Sequence, residues 1–90
     1  MTLDETLKKQ IEEEVINITA EELGKKPNEI TRNLKFIEDL GSDSLTQVEL
    51  IMRFEEKYGL TIKDEEAQKM QTVGNAVDYV FEQYKRKQIL

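Results

Sequence analysis

The sequence predicts an all-α fold, namely a small four-helix bundle with three main helices, one short helix and a long loop between helices one and two. Two observations favour this class. Apolar residues recur every three to five positions through most of the chain, as on one face of a helix. In addition, no stretch alternates apolar and polar residues with a period of two, as a half-buried strand would. The length of 90 residues allows one domain with a modest core, so residues 1–90 are expected to form a single domain.

The first helix is expected to begin after Thr2 and to end at Gly24. Thr2 and Glu5 form a capping-box pattern, in which side chains bind free backbone N–H groups of the first turn. A glycine can adopt the left-handed conformation that ends many helices. The apolar residues between these two ends share the helical spacing and are Leu3, Leu7, Ile11, Val15, Ile18 and Leu23.

A long connection over about residues 25–42 follows, and it contains the only proline, Pro27. A loop of this length is uncommon in so small a domain and has to pack against the core. The apolar residues expected to provide this packing are Ile30, Leu34, Phe36, Ile37 and Leu40.

Three more helices complete the predicted bundle. The second, labelled α2, is expected over Ser44–Tyr58, closed by Gly59, and a short third helix over residues 64–70. The fourth begins after an N-cap at Thr72, and the basic segment 85–87 falls in its last turn, where cations interact favourably with the helix dipole. Its apolar face consists of Val73, Ala76, Val77, Val80, Phe81 and Tyr84.

The composition excludes several kinds of chemistry. The chain has no Cys and no His, so it has no disulfide, no thiolate nucleophile, no zinc–thiolate site and no imidazole base. We therefore expect no catalytic residue and no metal site. In any reaction that involves this protein, the reactive atom is expected to come from outside the polypeptide.

The charge is concentrated in one region of the sequence. The formal net charge is −6, and residues 38–66 alone contain nine acidic and three basic residues. This balance argues against nucleic acid and anionic membranes as partners and favours basic protein surfaces. The chain has no apolar run long enough to span a membrane and no basic segment that would begin a secretory signal, so a cytoplasmic protein is expected. We also expect it to be a monomer.

The second helix has two apolar stripes when its residues are projected at about 100° per residue. The first has the width of a core-facing surface and consists of Leu50, Ile51, Phe54 and Tyr58. The second, which we call the α2 strip, consists of Leu45, Val48 and Met52. Glu55 separates the two stripes, and Glu49 and Glu56 flank the α2 strip on its far side.

The two stripes have two interpretations. They can form one broad buried face with Glu55 at its edge, or the α2 strip can be exposed and dock a partner that has an apolar groove and a basic rim. The negative charge of residues 38–66 favours the second interpretation. The α2 strip is therefore predicted to be more exposed than Leu50, Ile51 and Phe54.

The residues at the head of the second helix resemble a known motif. They read Phe36-Ile37-Glu38-Asp39-Leu40-Gly41-Ser42-Asp43-Ser44-Leu45. This sequence is similar to the attachment motif of acyl carrier proteins, in which the serine of Asp-Ser-Leu bears 4'-phosphopantetheine. The resemblance extends without a gap over about residues 15–80, and the other similar segments are Val48-Glu49-Leu50, Phe54-Glu55-Glu56, Asp64-Glu65-Glu66-Ala67 and Val77-Asp78-Tyr79-Val80.

The resemblance implies a carrier that is not itself an enzyme. A phosphopantetheinyl transferase would attach 4'-phosphopantetheine covalently to Ser44. The thiol of the attached phosphopantetheine would then hold acyl chains as thioesters for the enzymes of fatty-acid synthesis. Asp43 would cap the second helix and also help the transferase and its metal to engage. Partner enzymes with basic surfaces would bind the residues around Ser44, which are Asp43, Leu45, Val48, Glu49, Met52, Glu55 and Glu56.

Two alternatives remain open beside the fatty-acid carrier. The chain can be a specialised carrier for a polyketide, lipid A or other acyl-transfer pathway, or a carrier-like binding module that is never modified. An isolated serine at a helix start is ordinarily a capping or first-turn residue. Thr46 stands where the family commonly has an acid, and Lys63 where a proline is common, which leaves the pathway and the partner enzymes undecided.

Overall fold

The computed structural model describes residues 2–89, which form a bundle of α-helices. The helices are α1 (Leu3–Leu23), α2 (Ser44–Tyr58), α3 (Asp64–Ala67) and α4 (Val73–Ile89), and a single 3-10 turn, Pro27–Glu29, lies in the loop between α1 and α2. Among these described residues, the only strand-like pairing is one bridge between Lys35 and Thr72. The all-α fold class is therefore confirmed.

Local capping interactions define the ends of the main helices. The backbone N–H of Glu5 donates to Thr2 Oγ1 at 3.1 Å, and that of Asn75 donates to Thr72 Oγ1 at 3.0 Å. Gly24, at the end of α1, has a φ of 66°, which lies in the left-handed region that favours glycine. The predicted caps at Thr2, Gly24 and Thr72 are confirmed.

The core is formed by α1, α2 and α4, together with side chains from the long loop. The largest side chains that are fully buried are Phe36, Phe54, Ile11, Leu50, Val15, Val73, Val77 and Val80. From the loop, Ile30, Phe36 and Leu40 are buried as expected, and Leu34 packs partly against them. Ile37 was expected to pack as well, but 54% of its surface is exposed, so that expectation is wrong.

The loop is fixed by backbone hydrogen bonds to the start of α4. The N–H of Phe36 donates to Gln71 O at 3.0 Å, the N–H of Val73 to Leu34 O at 3.0 Å, and that of Gly74 to Arg32 O at 2.8 Å. A Cβ atom at Gly74 would lie 3.1 Å from Arg32 O, which explains the glycine at this close approach. These bonds hold the segment that leads into α2.

Arg32 connects the same loop to two helices through its side chain. Its guanidinium lies 2.8 Å from Glu12 Oε1 on α1 and 2.8 Å from Asp78 Oδ1 on α4. Burial acts to raise the pKa of Asp78, but the hydrogen bonds from Arg32 and Lys8 outweigh this effect, so the pKa lies below its ordinary value.

α3 is shorter than the sequence predicts, since it ends at Ala67 rather than at residue 70. Beyond Ala67 the N–H groups bond three residues back, from Lys69 to Glu66 O and from Met70 to Ala67 O, both at 3.1 Å. This tighter turn buries Met70, and Gln71 O accepts the N–H of Phe36 from the long loop. A continued α-helix would compete with that long-range bond.

The last turn of α4 holds the far end of α2. Lys87 Nζ donates to Gly59 O at 2.7 Å, and Lys85 Nζ lies 2.6 Å from Asp4 Oδ2 of α1. Gly59, with a φ of 65°, ends α2, so the Lys87 cation lies at the negative end of the α2 dipole. The basic segment 85–87 therefore joins α4 to both other main helices.

Replacing Lys87 with methionine is expected to lower the melting temperature by a few degrees. The variant keeps the aliphatic stem but loses the cation at the α2 terminus, an interaction that contributes about 0.3–1 kcal/mol. Thermal unfolding followed by circular dichroism measures the change. Arg86→Met is the matched control because Arg86 is also exposed in this last turn, and equal losses in the two variants would contradict a specific role for Lys87.

Candidate functional site

Ser44 is the first residue of α2, and its side chain is exposed. Asp43 caps the helix, since its Oδ1 accepts the backbone N–H of Thr46 at 2.8 Å. The hydrogen bonds from the backbone and side chain of Thr46 hold the pKa of the Asp43 carboxyl below its ordinary value. The Ser44 hydroxyl therefore lies at the positive end of the α2 dipole, where an attached anion is stabilised.

The segment before Ser44 is a compact turn and not an extended linker. The N–H of Ser42 donates to Phe36 O at 2.9 Å, and the N–H of Lys35 donates to Asp39 Oδ2 at 2.8 Å. Ser42 itself is buried, and its hydroxyl donates to Gln47 Oε1 on α2 at 2.8 Å. These bonds fix the position of the α2 N-terminus relative to the core.

A cavity of about 710 Å³ lies beside Ser44, between α2, α3 and the long loop. Its apolar lining includes Val48, Ile51, Met52, Ile62, Ala67 and Met70. Three glutamines also border the cavity, namely Gln47, Gln68 and Gln71. The cavity can therefore accept an aliphatic chain along its apolar part and a hydrogen-bonding group at the glutamines.

Glu55 belongs to the wall of this cavity. Its Oε2 accepts the backbone N–H of Ile62 at 2.8 Å, which ties the connection between α2 and α3 back onto α2. One of its carboxylate oxygens is thus engaged within the protein. A role for Glu55 in partner binding stays a prediction.

The α2 strip is exposed, as predicted. The exposed fractions are 68% for Leu45, 56% for Val48 and 51% for Met52, whereas Leu50 and Phe54 are each 1% exposed. Ile51 is only partly buried because it lines the cavity, so the core-facing stripe is narrower than expected. The flanking Glu49 and Glu56 are exposed too.

The cations of α2 point toward α1. Arg53 places its two terminal nitrogens 2.7 Å from Glu21 Oε1 and 3.2 Å from Glu22 Oε1, and Lys57 Nζ lies 3.9 Å from Glu14 Oε2. This pairing directs the positive charge of α2 away from the α2 strip. Glu49 and Glu56 are the exposed carboxylates of α2 beside the strip.

Within the part of the chain that the structure describes, no helix is both long and apolar enough to cross a membrane.

Comparisons with known proteins agree with this geometry. Residues 13–80 match the family model described as a phosphopantetheine attachment site. The chain is also similar to the solved structure of the acyl carrier protein from Enterococcus faecalis, with 31% sequence identity and a TM-score of 0.73 over 83% of this chain and 95% of that chain. From the extent of both matches, the chain belongs to the acyl carrier protein family, whose members are non-catalytic carriers that a transferase modifies with 4'-phosphopantetheine.

Proposed function

We propose that Ser44 is the residue that bears 4'-phosphopantetheine and that this protein presents acyl chains to the enzymes of fatty-acid synthesis. The observation that carries the proposal is the position of Ser44, an exposed hydroxyl on the first residue of α2 that also borders the cavity. A group attached to this oxygen can enter the cavity without crossing the core. Cytoplasmic location and a monomeric state are part of the same proposal.

Attachment joins Ser44 Oγ to a phosphorus atom of coenzyme A, while the hydroxyl loses its proton and the nucleotide part of coenzyme A leaves. Asp43 is a poor acceptor for that proton, because its carboxylate is engaged as the α2 cap and its pKa is lowered. The base is therefore expected to come from the transferase. The new phosphodiester adds one negative charge, which the α2 N-terminus stabilises.

The bound arm supplies a terminal thiol that holds an acyl group as a thioester, a function that this cysteine-free chain lacks. The protein contributes the surface that removes the acyl chain from water. The apolar walls at Val48, Ile51 and Ile62 favour an aliphatic chain, because burial of each CH₂ group contributes about 0.8 kcal/mol. This lining supports fatty-acid synthesis as the pathway.

A specialised carrier is the second candidate, and one observation favours it. Gln47, Gln68 and Gln71 border the cavity, and amide groups there can bind hydroxyl or carbonyl groups of an oxygenated chain. Intact-mass measurement of the protein isolated from its own cells separates the candidates. Saturated acyl groups that differ by two carbons support fatty-acid synthesis, whereas acyl groups that keep oxygen at several positions along the chain support the specialised pathway.

The partners proposed for this surface are the transferase and enzymes of acyl transfer that have basic docking surfaces. They would contact the α2 strip and the acidic side chains around it, Asp43, Glu49, Glu55 and Glu56. Complementary charge of this kind speeds association and fixes the orientation of the partners.

Incubation with coenzyme A, Mg²⁺ and a phosphopantetheinyl transferase is expected to add the mass of one phosphopantetheine. Ser44→Ala is expected to gain none, because the attacking oxygen is lost. Thr61→Ala is the matched control, since Thr61 is also an exposed hydroxyl residue but lies in the connection between α2 and α3. A mass gain that persists in Ser44→Ala would overturn the residue assignment, and an unmodified wild-type protein would favour the binding module that is never modified.

A further inference from the structure

The exposed apolar side chains around Ser44 come from two separate elements of the fold. Val48 and Met52 belong to α2, whereas Ile37 belongs to the long loop, and all three border the cavity beside Ser44. Ile37 is 54% exposed, close to the 56% of Val48 and the 51% of Met52. The apolar surface at this end of the protein therefore extends beyond the α2 strip.

The exposure of Ile37 does not come from a loose loop. Its neighbours Phe36 and Leu40 are buried, with exposed fractions of 2% and 6%. The N–H of Gly41 donates to Ile37 O at 3.2 Å, and the N–H of Ser42 donates to Phe36 O at 2.9 Å. The turn thus directs the Ile37 side chain toward water from a fixed backbone, which reduces the conformational entropy that the loop would lose when a partner binds.

Most charges around these three apolar side chains are negative, although Lys35 Nζ lies 3.8 Å from Glu38 Oε2. Glu38 and Asp39 follow Ile37 in the loop and are exposed, and Glu49 and Glu56 are exposed on α2. An apolar patch bordered by carboxylates is complementary to an apolar groove whose rim carries Lys and Arg.

We propose that Ile37 is a docking residue for the phosphopantetheinyl transferase, and that Ile37, Val48 and Met52 enter one apolar groove on that enzyme. The inference rests on the proposed function and adds a loop residue to a surface otherwise built on α2. Ile37 precedes Ser44 in the sequence and Val48 follows it. A transferase that contacts both elements would therefore hold the chain on either side of Ser44. The transferase would thus bind the loop and α2 as one surface.

The test is a comparison of kcat and KM for phosphopantetheine transfer to the full chain. Ile37→Ala removes an apolar contact that would be made equally in the bound complex and in the transition state. The KM is therefore expected to rise about five- to tenfold, while kcat is unchanged. Ile37→Asn is expected to raise KM at least as much, because its amide would enter an apolar groove. Leu3→Ala is the matched control, as Leu3 is 88% exposed but lies in the first turn of α1, and its KM is expected to equal that of the wild type.

Thermal melts of the variants should match that of the wild type, because an exposed side chain contributes little to stability. If both Ile37 variants are modified with the KM of Leu3→Ala, the docking role of Ile37 is overturned while the proposed function stands. If the wild type is not modified at all, the proposed function fails and this inference fails with it.

Discussion

Replacing Phe54 with alanine is expected to lower the free energy of unfolding by about 3–5 kcal/mol. Phe54 lies on the core-facing stripe of α2 and is 1% exposed, so the substitution leaves a cavity among packed side chains. Small domains have total stabilities of about 5–15 kcal/mol, so the variant would lose a large part of its stability. Urea denaturation followed by circular dichroism measures this loss.

The matched control is Met52→Ala, on the same helix two residues earlier. Met52 is 51% exposed, so its truncation is expected to change the free energy of unfolding by no more than about 0.5 kcal/mol. Comparison of the two variants therefore measures how much each of the two apolar stripes contributes to the free energy of unfolding. Comparable losses at both positions would mean that the α2 strip is packed in solution and is not free to meet a partner.

The main helices could be predicted from the sequence because their determinants are local. Apolar spacing identifies the buried face, and the caps at Thr2, Asp43 and Thr72 bond within three residues along the chain. Glycines with positive φ end α1 and α2 at the expected residues, Gly24 and Gly59. None of these features depends on which helix packs against which.

Two expectations that the structure contradicts depend on long-range contacts. α3 ends early where the chain turns to bury Met70 and to offer Gln71 O to Phe36, a residue 35 positions earlier in the sequence. Ile37 is exposed because the turn directs Phe36 and Leu40 into the core. An irregular loop has no repeating face, so its apolar residues cannot be assigned to the core by periodicity.

In the candidate site, too, local features could be predicted from the sequence and long-range contacts could not. The motif around Ser44 could be identified from the sequence, and the exposure of the α2 strip followed from a helical projection. The pairing of Arg53 and Lys57 with acids of α1 could not be predicted, because it depends on how α1 packs against α2. Counting charges along residues 38–66 therefore does not show where on the surface the positive charges lie.

Reversing the charge of Glu49 and Glu56 together is expected to slow association with the transferase about tenfold or more at low ionic strength. Both side chains are exposed beside the α2 strip, and the cations of α2 are turned toward α1, so Glu49→Lys with Glu56→Lys inverts the local potential. The association rate constant, measured by stopped flow over a range of salt concentrations, reports the effect.

The control is the double variant Glu13→Lys with Glu29→Lys, which changes the net charge equally at exposed positions outside α2. Its association rate is expected to fall less, because these charges lie outside the surface proposed to face the partner and act on it only through the weaker long-range field. The difference between the two double variants should shrink as salt is added. If both slow association equally at every salt concentration, net charge alone governs the encounter and the α2 strip has no special part in it.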